Sequence, residues 1–292
     1  MNKVFAITCH KITNPLVHTV RYLSSFEENI VLVHVDKKAN IQDFIVLKNN
    51  NVHLIPNRIE VTWGHITQII SVIELMRFSL RFNYEFFFLL SGDDIPIKNN
   101  NKINTFLEHF FDYNFIHYQD LVTKYINPED RVRYNYPKFF YFREKTVITK
   151  AKKLFVYRFK NIFFRNKEFY RIKNKIPRMY KGTNWFTLKK DTVKYVINYI
   201  EKNEWYLDLF NKSICGDEVF FHTIIKTNNK LKIFSDNKYP HKALRYIDWY
   251  TGPQYPKVLK EEDKQRMISS NNLFARKIDE NATKDFMECF LY

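Results

Sequence analysis

The segment YEFFFLLSGDDIPIK, residues 84–98, constrains the fold more than any other part of the chain. Tyr84 and the run from Phe86 to Leu90 are apolar, and the run stops at Ser91-Gly92-Asp93-Asp94. A short continuous apolar run bounded by turn residues reads as a fully buried strand. In an open α/β sheet, ligands bind just beyond the carboxyl ends of such strands. Two carboxylates placed there lose hydration unless they hold something. The end of this strand is therefore expected to border a functional site.

The flanking sequence supports an α/β sheet. Strands are expected over 3–8, 30–35, 52–55, 86–90 and 114–118, with helices over 15–24, 65–82 and 101–111 between them and a short helix at 41–47. This alternation predicts a mostly parallel sheet with helices on both faces. Beyond residue 118 the pattern loosens, and order returns with a strand at 184–188 and helices at 191–201 and 217–226. With 292 residues, 45% of them hydrophobic, the chain has material for one large core. One compact domain with an insertion is favoured over two separable ones.

The net charge of +16 is unevenly placed: residues 141–180 hold 13 Lys and Arg against two acids, Glu144 and Glu168, interleaved with Phe, Tyr, Ile and Leu. Two readings stay open for this stretch. It is either a solvated helix face or a surface that lies on anionic membrane. Nucleic acid is not expected as a partner, since no zinc-finger, RNP or helix-turn-helix pattern is present. Cys9, Cys215 and Cys289 are odd in number and widely spaced, which fits a reducing cytoplasm. Neither a secretory leader nor an 18-residue apolar run is seen. Only five glycines occur, in TWGH, SGDD, KGTNW, CGDE and YTGPQ, and no glycine-rich phosphate loop is among them. Those five places are where a positive φ or a close backbone approach is expected.

Several side chains stand where chemistry is expected. Asp36, with Lys37 and Lys38, ends the second strand and is either a turn residue or an acceptor for a nucleotide hydroxyl. Asp93 and Asp94 either bind a divalent metal, bind sugar hydroxyls or fix the turn at Ile95-Pro96. Asp217 reads as a helix cap. Glu218, one residue on, is either a first-turn acid or a general base able to reach an acceptor hydroxyl. Arg245 to Trp249 (RYIDW), Lys257, Lys260 and Asn272 to Asp279 (NLFARKID) give a basic section, either surface charge or the cations that a departing diphosphate needs.

Taken together, AITCHK, HVDKKA, VTWGHITQIISVIELM, YEFFFLLSGDDIPIK, GTNWFTLKKDTVKYV, CGDEVFFHTII, RYIDW and NLFARKID resemble the core-2/I-branching glycosyltransferase family, which includes the protein xylosyltransferases. The resemblance covers residues 5–118 and 182–279, and residues 119–181 match poorly. It implies a GT-A-like fold over 1–292. Residues 1–118 would be a nucleotide-sugar-binding half, 119–181 a basic acceptor insertion, and 182–292 a catalytic and acceptor half. It implies inverting transfer of a sugar, N-acetylglucosamine before xylose, from a UDP-sugar to a glycan hydroxyl, without metal or other cofactor. Ile7, Thr8, Cys9, Asp36, Lys37 and Lys38 would meet the nucleotide, and Lys277 the diphosphate. Lys257 is the nearest counterpart of a second diphosphate-binding cation. Glu218 would be the base. Asp93, Asp94, Trp185, Arg131, Trp249 and Tyr250 would border the sugars. The absence of family disulfides and anchor suggests a bacterial cytoplasmic enzyme of surface-polysaccharide or lipooligosaccharide synthesis. Its basic insertion would then dock on the inner membrane beside a lipid-linked acceptor. The alternatives are a metal-dependent transferase using Asp93 and Asp94, and a non-catalytic basic peripheral-membrane or carbohydrate-binding protein.

Overall fold

The computed structural model describes residues 1–120, 125–142, 146–253 and 255–291. Arg143, Glu144 and Lys145 of the basic stretch lie outside the described residues. Strands β1 (Lys3–Cys9), β2 (Asn29–Val35), β3 (Val52–Leu54) and β4 (Phe86–Ser91) pair in parallel in the order β3-β2-β1-β4. Two further strands, β6 (Phe115–Tyr118) and β7 (Gly182–Lys189), complete a six-stranded sheet of order β3-β2-β1-β4-β7-β6, with β7 antiparallel to both neighbours. β6 thus does not pair with β4; β7 returns from far along the chain and inserts between them. A small second sheet joins β5 (Ile95–Pro96), β9 (Phe274–Arg276) and β8 (Arg245–Ile247).

Side chains of β4 alternate between two cores, as pleating requires. Phe87 and Leu89 pack with helices α2 (Thr67–Ser79), α6 (Lys190–Lys202) and α8 (Asp217–Thr227). Phe86, Phe88 and Leu90 pack with α1 (Asn14–Ser24) and α3 (Asn100–His109). The run is apolar throughout because both faces are covered. Helix starts follow local chemistry. Thr13 Oγ1 accepts from the Leu16 N–H at 3.3 Å to cap α1, with Pro15 in its first turn, and Asn99 Oδ1 accepts from the Lys102 N–H at 3.0 Å to cap α3.

Between β6 and β7 the chain forms α4 (Val147–Phe163) and α5 (Lys167–Arg171), with short 3₁₀ turns at Pro128–Arg131 and Lys138–Tyr141. This stretch does not stand wholly apart: Val132, Phe169 and Met179 are buried in the main core. A satellite cluster of Tyr134, Tyr136, Phe140, Tyr141, Val156 and Ile214 holds α4 against the body. The short helices α7 (Glu204–Asp208), α9 (Lys264–Ile268) and α10 (Lys284–Glu288) complete the chain. No helix among the described residues is long and apolar enough to cross a membrane.

Candidate active site

The carboxyl ends of β1, β2 and β4 converge. The Asp36 N–H donates to the Cys9 carbonyl at 2.8 Å, and the Gly92 N–H donates to the Thr8 carbonyl at 2.9 Å, so the turns after β2 and β4 both fold over the end of β1. Asp36 is nearly buried, and its carboxylate accepts from the Lys38 N–H at 2.9 Å. Arg58 clamps this turn from outside, donating to the carbonyls of Val35 at 3.1 Å and Asp36 at 2.7 Å. Lys37 and Lys38 are exposed beside it. The side chains of Ile7 and Cys9 point into the core that α1 covers, so what they offer at the rim is backbone. Burial, with Asp36 nearby, pushes the Cys9 thiol far up, which leaves it inert.

The two acids after β4 part company. Asp93 is partly exposed and lies 3.6 Å from the Lys277 ammonium. Asp94 is fully buried. Its oxygens receive the Ser91 hydroxyl at 2.8 Å, the Ser91 N–H at 3.2 Å and the Arg276 guanidinium at 3.0 Å. Burial pushes the Asp94 carboxyl up, and Arg276 and Arg245 oppose that. Asp94 therefore presents no surface to a sugar or a metal; it fixes the turn and anchors Arg276. Arg276 in turn lies 4.0 Å over the Trp185 ring, so Trp185 is placed at the rim by its contact with the residue before Lys277. Among the described residues no trio of His, Cys, Asp or Glu side chains converges as a metal site.

The other end of the rim is built at the start of α8. Cys215 has φ 48° and its N–H donates at 2.8 Å to the carbonyl of Gly64, itself at φ 71°. Two left-handed residues back to back fix the loop that delivers Glu218. Glu218 is 25% exposed, and its Oε2 receives Arg131 at 2.7 Å and the Lys181 ammonium at 3.1 Å. Its Oε1 takes no hydrogen bond among the described residues. Asp217 beside it is buried, accepts from the Asn184 amide, and is pushed up to about 7 by burial and then by the Glu218 charge.

One strand joins both ends. Lys181 precedes β7 and touches Glu218, Asn184 holds Asp217, and Trp185 carries Arg276, the neighbour of Lys277. From Lys181 to Trp185 is about 13 Å of extended chain. Asn184 and Trp185 are successive residues of β7 and face opposite ways, so Asp217 at the start of α8 meets one face of the strand and Arg276 of β9 the other. Trp249 and Tyr250 are exposed just after β8, tied to the basic section by a 2.8 Å bond from the Lys257 N–H to the Asp248 carbonyl. The Lys257 ammonium is already taken by Asp263 at 2.8 Å and Glu262 at 3.2 Å. It is thus compensated, whereas Lys277 has one more distant acid. A cavity of about 610 Å³ lies elsewhere, between β8 and α9, lined by residues such as Lys238, Tyr246, Arg266 and Asn271, and includes neither Glu218 nor Lys277.

Sequence reasoning missed Lys181, Asn184, Arg58 and Arg276. Lys181 stands directly before the glycine of KGTNW and Arg276 directly before Lys277, so adjacency to a motif was the only signal each carried.

The architecture is a mixed α/β fold whose mostly parallel sheet carries acids and cations along its carboxyl rim, consistent with a GT-A-like arrangement. The chain belongs to the Core-2/I-Branching enzyme family, whose model matches residues 4–272. It is similar to Xylosyltransferase 1 of Homo sapiens (30% identical over 97 residues, 31% of this chain and 10% of the relative). It is also similar to Xylosyltransferase 1 of Rattus norvegicus (24%, covering 76% of this chain and 25% of the relative) and Xylosyltransferase 2 of Rattus norvegicus (23%, covering 90% and 30%). The chain therefore spans well under half the length of these relatives.

Proposed function

We propose that this chain is an inverting glycosyltransferase that moves a sugar from a UDP-sugar to a hydroxyl of a glycan acceptor without a metal ion. The observation that carries this reading is Glu218: one carboxylate oxygen is held by Arg131 and Lys181, and the other is unengaged among the described residues. The free oxygen takes the acceptor proton while the acceptor oxygen attacks the anomeric carbon from the face opposite UDP. The bond to the diphosphate breaks with its electron pair going to the phosphate oxygen, and Lys277 neutralises that charge. Arg131 and Lys181 orient the base. The turn at Asp36, Lys37 and Lys38, with the backbone of Ile7, Thr8 and Cys9, takes the nucleotide, and Trp185, Trp249 and Tyr250 border the sugars.

Cations rather than a metal serve the diphosphate in this reading, because Lys277 lies against Asp93 and Arg276 occupies Asp94. The transferred sugar is N-acetylglucosamine, after the branching enzymes of the family, with xylose second, after the names of the curated relatives. The setting is a bacterial cytoplasm, at the inner membrane, where surface polysaccharide or lipooligosaccharide is extended.

The test is a UDP-release assay with a panel of UDP-sugars and glycan acceptors, run in excess EDTA. Glu218→Gln is expected to lower kcat at least ~10²-fold with UDP affinity unchanged. Near-normal turnover in that variant rejects the assignment, and a requirement for divalent cation returns Asp93 to the role of metal ligand.

A further inference from the structure

Helix α4 carries an apolar stripe that the protein does not cover. Val147, Ile148, Leu154, Phe155, Ile162 and Phe163 are each more than half exposed, and Val156 is the helix's only buried side chain. Ile148, Ala151, Phe155, Phe159 and Ile162 recur at spacings of three, four and seven, so they share one face. The Phe155 and Phe159 rings neighbour one another along it, tilted by 45° with centroids 4.8 Å apart. Phe142, 56% exposed, lies beside this helix, its carbonyl accepting from Lys153.

The charges sort by face. Lys153 and Lys160 turn inward: Lys160 lies 3.5 Å from Asp130 and 4.6 Å over the Tyr134 ring, and Lys153 lies over Phe140. Lys150, Lys152 and Arg158 are exposed around the stripe with no ion pair among the described residues, and α4 contains no acid. A second copy laid on this face would bring like charges together in apolar surroundings. An anionic lipid surface complements both components, taking the apolar side chains below its headgroups and the cations at their level. The helix is 17 residues long and charged, so it lies on a bilayer rather than across it.

The helix is mechanically close to the catalytic rim. Val156 packs in the same cluster as Ile214, which leads into Cys215 and Glu218, and Lys160 pairs with Asp130, the neighbour of Arg131. We infer that α4 is a membrane-docking helix that seats the protein on an anionic bilayer through Ile148, Phe155 and Ile162, ringed by Lys150, Lys152 and Arg158, so that the Glu218 rim works on an acceptor carried at the bilayer surface. The docking stands on the exposed face alone; the acceptor's placement rests on the function proposed above.

The experiment is co-sedimentation of the full chain with vesicles of 30% phosphatidylglycerol in phosphatidylcholine, against pure phosphatidylcholine. Binding to the anionic vesicles is expected to be at least tenfold tighter, and to fall at least tenfold between 50 mM and 500 mM salt. Phe155→Ser with Ile162→Ser, and separately Lys150→Gln with Lys152→Gln and Arg158→Gln, should each weaken it at least tenfold. These side chains are exposed, so the thermal midpoint of each variant should stay that of the parent. No binding at low salt, or full binding by both variants, overturns the inference. So does a concentration-dependent dimer that Phe155→Ser with Ile162→Ser abolishes, because a second copy is then the occupant. Glu218→Gln should bind vesicles as the parent does, so loss of transfer and loss of docking are read separately.

Discussion

At Asp217 the site works against the stability of the fold. Burial and the Glu218 charge raise its carboxyl from 3.8 to about 7, so between those values the folded chain keeps a proton that the unfolded chain releases. Stability contributed by this group therefore falls as pH rises from about 4 to about 7, and is not regained above it. Asp217→Asn keeps an oxygen that can accept from Asn184 and does not ionise. It should be more stable than the parent at pH 8 by up to about 4 kcal/mol, with the gap closing toward pH 4. Urea unfolding at both pH values checks this; a difference that does not change with pH sinks it. Glu218 could be picked out from sequence because a helix-starting acid after a glycine turn is a local pattern. Asp94 could not be sorted from Asp93, since its burial depends on Arg276, 182 residues away. The pairing of Arg131 with Glu218 was hidden for the same reason, since an ion pair across 87 positions leaves no local trace, and Lys181 was not singled out.

At the scale of elements, long periodic segments were readable and short ones were not. Strands β1, β2 and β4, as apolar runs, and helices α1, α2, α3, α6 and α8, as amphipathic periods, lie within a few residues of their expected bounds, and β3 is the one short strand that was also expected. β5, β8 and β9 have two or three residues each and no period to detect. The insertion of β7 between β4 and β6 was equally hidden, since pairing partners are set by tertiary packing. What makes that insertion work is Gly182. A Cβ there would fall inside van der Waals contact of the His117 carbonyl and the His222 ring, groups themselves hydrogen-bonded at 3.2 Å. Gly182→Ala must push β6 or α8 away, at about 3 kcal/mol. Gly92→Ala, whose nearest neighbour would be the Cys9 Cβ at 3.2 Å, should be milder. Equal losses for the two in a urea titration would refute the packing account. The displaced β7 should also carry Lys181 away from Glu218.

At the scale of the molecule, the Asp36–Lys38 turn and Lys277 come from opposite ends of the chain. The Asn14 N–H donates to the Glu280 carbonyl at 3.1 Å, and the Ile278 N–H to the Asp93 carbonyl at 2.9 Å, so the segment carrying Lys277 is tied by backbone bonds to the start of α1 and to the turn after β4. Its apolar support is a small cluster of its own, centred on Ile97, Ala275, Ile278 and Phe286. A ligand that touches both the Asp36–Lys38 turn and Lys277 would bridge the two. Binding to the folded state alone stabilises it by RT ln(1 + [L]/Kd), about 2.7 kcal/mol at a hundredfold excess over Kd, or roughly 5 °C in a domain this large. UDP should therefore raise the thermal midpoint by that amount. Lys277→Ala, a partly exposed side chain whose removal spares the core, should leave the unliganded midpoint within about 1 °C and remove most of the UDP shift. Lys257→Ala should remove less, because two carboxylates already hold its ammonium. An unchanged UDP shift in Lys277→Ala, by the same melting curves or by calorimetry, would take the leaving-group role away from that residue.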